Sequence, residues 1–261
     1  MADFAVRTLR RPGAPVHGTL FRPARPCAGV LVIGGSGGSE PSYVGEGLAR
    51  AGIGALSVAY FGRPGLPGQL RDIALEYFLG ALRLLEETLG FGVPLVLLGM
   101  SRGSEAALLT AIHSGGGVDA VVLAVPGNVV AGSWPPGGAA WLLGGRALPY
   151  VAHSGPESED PAAIIPVELV PGPVLLVGAG ADRVWPSGEM ARALSGRLRE
   201  HGDVHGHMVL EYPDAGHSLG YLIPQLPPGL LPSDLVDEPV DQAARADAWP
   251  KVVEFVRRLA R

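Results

Sequence analysis

Val93-Pro-Leu-Val-Leu-Leu-Gly-Met-Ser-Arg-Gly-Ser104 is the stretch that decides the fold. Its first half, Val93–Leu98, is a short apolar run of the kind that forms a strand buried on both faces. Ser104–His113 reads as a helix. Between them stands Gly99-Met-Ser101-Arg-Gly103, a G-x-S-x-G motif. A sharp turn from strand to helix needs small residues on both flanks of the serine and presents its hydroxyl at the carboxyl edge of a sheet. Ser101 is therefore the candidate nucleophile.

The alternation continues on both sides. Val16–Phe21, Gly29–Ile33, Ile53–Ala59, Ala120–Val125, Val174–Val177 and His207–Tyr212 read as strands. Tyr43–Ala51, Leu70–Leu89, Ser187–Glu200 and Asp241–Leu259 read as helices. Leu70, Ile73, Ala74, Tyr77, Phe78, Ala81, Leu82 and Leu85 recur at three and four residues, one apolar stripe. Strands alternating with helices imply an α/β fold, a mostly parallel sheet covered on both faces. Two stretches break the alternation. Pro126–Pro173 holds nine prolines and Pro213–Pro239 holds six. Such irregular segments in a compact domain often form lids or binding loops, and the first, about 126–173, is expected to be a lid-like insertion.

A serine on such a turn needs an acid and then a histidine, in that chain order. Asp182 follows the strand Val174–Val177, and His217 follows the strand ending at Tyr212. Both loops lie where they can converge on Ser101. Gly34-Gly-Ser-Gly-Gly38 follows an early strand, and its backbone can approach a reacting group closely. An oxyanion needs two N–H donors, one from the residue after the nucleophile and one from an early loop. Arg102 and Ser36 are the expected pair, each through its backbone. A phosphate-binding reading of the glycine loop fails, because it lacks the Lys-Ser/Thr of a P-loop and does not fit G-x-G-x-x-G.

Composition bounds the rest. In 261 residues there are 39 glycines and 25 prolines, about a quarter of the chain, a level seen in low-complexity sequences. The 47% hydrophobic and 17% charged content argues against disorder, which needs the opposite balance. A net charge of −5 and no basic stripe disfavour nucleic acid. One cysteine, Cys27, forbids an intrachain disulfide and a cysteine zinc site. His205 and His207 form a chelate-like pair with no third ligand nearby, and no metal or cofactor is expected. No apolar stretch approaches the ~18 residues of a membrane span, and no signal peptide is visible, so a cytoplasmic protein is expected. A single catalytic domain over 1–261 is expected.

Taken together, Gly34–Gly38, Leu75-Glu-Tyr-Phe78, Gly99–Gly103, Ile165-Pro-Val-Glu168 with Gly172–Gly178, Asp182 with Trp185-Pro-Ser187, and Ala215-Gly-His217 resemble the C-terminal catalytic domain of the acyl-CoA thioesterase and bile acid-CoA:amino acid N-acyltransferase family, a branch of the α/β-hydrolases. The resemblance runs from about residue 16 to the C-terminus. It implies an α/β-hydrolase fold, a Ser–His–Asp triad of Ser101, His217 and Asp182, and a small-molecule acyl thioester as substrate, linked to CoA or another carrier. Longer family members carry an N-terminal β-sandwich, for which there is no room before residue 16. Amino-acid-conjugating members have cysteine where this chain has Ser101, which favours hydrolysis. Transfer of the acyl group to an amine, and a carboxylesterase or dienelactone-hydrolase-like activity, stand as alternatives. Arg63 is a candidate contact for CoA phosphates, and Trp141 and Trp185 for an acyl pocket.

Overall fold

A computed structural model of the chain describes residues 4–9, 16–152 and 160–260. The strands are β1 (Phe4–Leu9), β2 (His17–Pro23), β3 (Gly29–Ile33), β4 (Gly54–Ala59), β5 (Ile73–Ala74), β6 (Leu95–Met100), β7 (Ala120–Ala124), β8 (Trp141–Leu143), β9 (Arg146–Ala147), β10 (Val174–Ala179) and β11 (His207–Tyr212). The helices are α1 (Ser42–Arg50), α2 (Leu75–Leu89), α3 (Arg102–Ile112), α4 (Ser187–Glu200) and α5 (Pro239–Arg258).

Eight strands form one sheet in the order β1-β2-β4-β3-β6-β7-β10-β11. The pairs β1/β2 and β2/β4 are antiparallel, and the others are parallel. Every residue of β3, β6, β7 and β10 is buried, which is why these strands are continuous apolar runs. Alternate residues feed opposite faces. Leu31 and Ile33 join a cluster with Phe78, Ala107 and Leu194 from α2, α3 and α4. Val30 and Val32 join another with Leu48 and Val252 from α1 and α5. The carboxyl ends of β3, β6, β10 and β11 therefore lie along one edge, and their loops share it.

Two expectations change here. The stripe starting at Leu70 does not begin a helix at Leu70. Asp72 takes φ 53°, a left-handed conformation that interrupts a helix, and Ile73–Ala74 pair with Trp141–Leu142 instead. The helix starts at Leu75. Leu70 and Ile73 are still fully buried, so the stripe is real but its first turn is strand-like. A strand at Phe4–Leu9 also appears that the sequence reading lacks.

The described part of the stretch expected to be lid-like, residues 126–152 and 160–173, supplies no residue to the lining of the catalytic cavity. Residues 153–159 lie outside the described residues. Of the described part, Val130, Ala140, Trp141, Ile165 and Val167 enter the core cluster shared with α2 and α3. Its β8 and β9 join β5 in a small second sheet. The physical reason is Glu105, which lies on α3 with no exposed surface. Its carboxylate accepts from Ala131 N at 3.0 Å, from Trp141 Nε1 at 2.9 Å and from Arg102, tying the stretch down onto α3. Burial pushes the Glu105 carboxyl up, and the adjacent Arg102 opposes that.

Candidate active site

Ser101 sits between β6 and α3 at φ 53° and ψ −125°, a conformation that a non-glycine residue holds only when its surroundings impose it. The flanking glycines impose it. A Cβ on Gly99 would stand 2.3 Å from Gly103 O, and one on Gly103 would stand 2.3 Å from Gly34 O. The turn is thus packed to backbone contact on both sides. Ser101 N donates to Ala124 O at 2.9 Å, which ties the turn to the neighbouring strand.

His217 lies just past β11, and its Nε2 is 3.1 Å from Ser101 Oγ. Its Nδ1 is 2.7 Å from Asp182 Oδ2. A carboxylate only accepts, so Nδ1 carries the proton and Nε2 is free to accept from the serine. The Asp182 side chain is fully buried and its oxygens are all engaged. Oδ1 accepts from Val184 N at 2.9 Å and Trp185 N at 3.3 Å, and Oδ2 also accepts from Ser187 Oγ at 2.6 Å. These bonds hold the acid in one rotamer, in a loop that α4 begins.

Ser101 and His217 open on a cavity of about 440 Å³. One wall is the glycine loop, Gly34–Gly37, and another is Gly229–Pro232 with Asp234 and Leu235. Tyr43, Met100, Val125, Val184 and Tyr221 also line it. No arginine or lysine is among the lining residues, and Asp234 is the carboxylate there.

Residues 147–234 match the family described as BAAT / Acyl-CoA thioester hydrolase C terminal. The human mitochondrial acyl-coenzyme A thioesterase 2 is 30% identical over 93% of this chain and 55% of its own length. The chain is similar in sequence, over most of its length, to proteins named as acyl-CoA thioesterases. The rat acyl-coenzyme A amino acid N-acyltransferase 2 is 29% identical over 77% of this chain and 51% of its own. The chain thus spans little more than half the length of these relatives. Among solved structures, MGS-M1, an α/β hydrolase from a deep-sea metagenome library, superposes with TM-score 0.63 at 14% identity, covering 99% of this chain and 100% of that one. The fold is that of an α/β-hydrolase.

Of the two expected N–H donors, Arg102 follows Ser101 in the chain and Ser36 lines the same cavity as Ser101. Arg102 opens α3, so its N–H has no intrahelical acceptor. Ser36 lies in the turn of the glycine loop and lines the cavity. The neighbouring Gly35 approaches closely enough that a Cβ there would stand 3.1 Å from Ser101 Cβ. Tyr60, which the sequence reading passed over, holds this loop. Its hydroxyl lies 2.9 Å from Gly34 O and 3.0 Å from Gly35 O, so both carbonyls are drawn away from the cavity. Full burial pushes the phenol well above its ordinary pKa, which keeps it a donor.

The three expected substrate contacts sit elsewhere. Trp141 is fully buried against Tyr60 and Phe78, with its N–H spent on Glu105. Trp185 donates Nε1 to Val125 O at 3.1 Å and packs edge-on against the His217 ring at 6.2 Å between centroids, so it frames the histidine and does not line the cavity. Arg63 lies on an exposed loop and is absent from the lining. A large aromatic or an arginine near a loop carries no sequence signal of which way it faces.

The residues that hold His217 from behind were also missed. Asp241 on α5 accepts from Gly216 N at 2.5 Å and from Ser218 Oγ at 2.8 Å, bracketing the histidine on both sides. Its burial is the signal that sequence could offer, an acid on the apolar side of a terminal helix. Among the described residues no group of three or more His, Cys, Asp or Glu is arranged to hold a metal ion, and no helix is long and apolar enough to cross a membrane.

Proposed function

We propose that the chain is a serine hydrolase of acyl thioesters, linked to CoA or a related carrier, and that it works through an acyl-Ser101 intermediate. Ser101 Oγ attacks the thioester carbonyl while His217 Nε2 takes its proton, and Asp182 stabilises the imidazolium. The carbonyl oxygen becomes an oxyanion on the N–H groups of Arg102 and Ser36. The C–S bond then breaks and the sulfur leaves with the proton from His217. Thiols have a pKa near ~8.5, so sulfur leaves with little help from a general acid. Water, deprotonated by His217, attacks the acyl-serine and frees the acid.

The observation that carries this reading is the unbroken contact from Asp182 through His217 to Ser101 at the floor of an open cavity. The thioester substrate rests on the relatives' names. The cavity lining offers no cation for an anionic acyl tail, which favours a neutral acyl group. Transfer to an amine is the second reading, favoured by the similarity to an N-acyltransferase. An oxygen ester would use the same residues. A cytoplasmic location agrees with the single cysteine and is settled by fractionation.

Thiol release from a panel of acyl-CoAs, with and without added amino acids, tests the reading. Wild type is expected to release thiol and free acid, and Ser101→Ala and His217→Ala to lose at least about a thousandfold in kcat. No thiol release at any chain length sinks the thioesterase reading. Amide product in place of free acid replaces it with transfer.

A further inference from the structure

Residues 223–237 form no helix or strand, yet Leu230, Leu231 and Leu235 from this segment make one wall of the cavity. Its interior hydrogen bonds are local turns, Leu230 N to Pro227 O and Leu235 N to Pro232 O. Among the described residues, its hydrogen bonds to the rest of the chain lie at its two ends, and one side chain makes half of them. Arg245 Nε donates to Ile223 O at 3.0 Å. Arg245 Nη1 and Nη2 donate to Asp237 Oδ1 and Oδ2 at 2.6 and 2.9 Å. Gln242 Nε2 adds a bond to Asp237 O at 3.3 Å.

The start of the segment is strained. Leu222 has φ 63° and ψ −46°, and Ile223 N donates to Tyr221 O at 2.7 Å, which is the rare form of γ-turn. Such a conformation persists only where its surroundings hold it. Leu222 is fully buried, and the guanidinium of Arg245 grips the next residue. Arg245 itself is fully buried on α5, where a cation is costly to hold unless its bonds are met. Partial burial pushes the Asp237 carboxyl up, but the bonds and charge of Arg245 hold it below the usual aspartate range.

The same guanidinium reaches the catalytic loop. Arg245 Nη1 donates to Ser218 O at 3.2 Å and to Ser218 Oγ at 3.1 Å, while that hydroxyl gives its own proton to Asp241. The residue after His217 and both ends of the cavity wall thus hang on one cation.

We propose that Asp237 and Arg245 are positioning residues that latch the 223–237 segment and so determine which acyl groups the site accepts. The proposal rests on the acyl-thioester reading above. An acyl group long enough to touch Leu230, Leu231 and Leu235 senses the latch; an acetyl group, confined to the neighbourhood of Ser101, does not. A merely structural ion pair would instead lower stability and slow every substrate alike.

The test compares wild type, Asp237→Ala, Asp237→Asn and Asp237→Glu with acetyl-CoA and decanoyl-CoA, reading kcat and KM separately. Thermolysin cleavage mapped by mass spectrometry is read in parallel, because 224–236 holds four leucines and no arginine or lysine. Asp237→Ala is expected to raise KM for decanoyl-CoA about tenfold, to change kcat on acetyl-CoA less than about threefold, and to speed cleavage within 224–236. Asp237→Glu restores both readouts, and Asp237→Asn, which keeps the shape, serves if the alanine variant does not fold. An equal loss on both thioesters, or an unchanged KM for decanoyl-CoA, overturns the latch. Absence of thiol release by wild type from either thioester sinks the thioesterase reading instead. In that case the cleavage rate decides alone: unaltered proteolysis in Asp237→Ala overturns the latch.

Discussion

Among the described residues the same three residue types meet twice. Ser195 Oγ lies 2.7 Å from His207 Nε2, and His207 Nδ1 lies 2.6 Å from Asp203 Oδ2. These contacts are as short as those at Ser101, yet they lack what a reaction needs. Ser195 is 3% exposed and stands inside α4, where the local N–H groups already serve the helix. Ser101 stands at a strained turn whose next N–H is free and whose hydroxyl opens on a cavity. Two substitutions separate the cases. Ser195→Ala is expected to keep thiol release within about threefold of wild type, since it removes one buried hydrogen bond. Gly103→Ala is expected to destabilise by about 3 kcal/mol, near the upper end for overpacking, and to abolish activity, because its Cβ would meet the Ile33 and Gly34 carbonyls at 2.4 and 2.3 Å. Urea unfolding with thiol release checks both. Ser101, Asp182 and His217 are legible in sequence because each follows an apolar strand. Tyr60, Asp241 and Arg245 are not, since they act through contacts 8 to 27 residues away that no short motif records.

At the scale of elements, periodicity located the strands and helices and missed what tertiary pairing decides. The helix expected from Leu70 loses its first turn because Ile73–Ala74 find strand partners in a segment about 70 residues on. The proline-rich stretches 126–173 and 213–239 look alike in composition, but described residues of the first enter the core and residues of the second wall the cavity. The distinguishing residue is Glu105, a buried acid that captures Trp141 and Ala131. Trp141→Phe leaves that acid short of one donor and is expected to cost about 1–3 kcal/mol in urea unfolding. KM for any acyl thioester should stay unchanged, because Trp141 is not part of the lining. A raised KM would return Trp141 to the substrate pocket.

Across the whole molecule, the order β3-β6-β7-β10-β11 sets the site. Parallel strands send their carboxyl ends to one edge, so residues 116 positions apart, Ser101 and His217, come within hydrogen-bonding distance. The high glycine and proline content, which alone could suggest disorder, is spent where backbone meets backbone at Gly99 and Gly103 and along the irregular cavity wall. The α/β character is legible because buried parallel strands are uninterrupted apolar runs. The cavity's shape is not, because it depends on how an irregular segment is tethered. The central claim is that Ser101 carries the acyl group, and intact-mass and peptide mapping of enzyme quenched during turnover of an acyl-CoA tests it directly. An adduct of one acyl mass on the peptide containing Ser101, absent in Ser101→Ala, is the expected result. Thiol release in Ser101→Ala at the wild-type rate, or an acyl adduct on another residue alone, would contradict it.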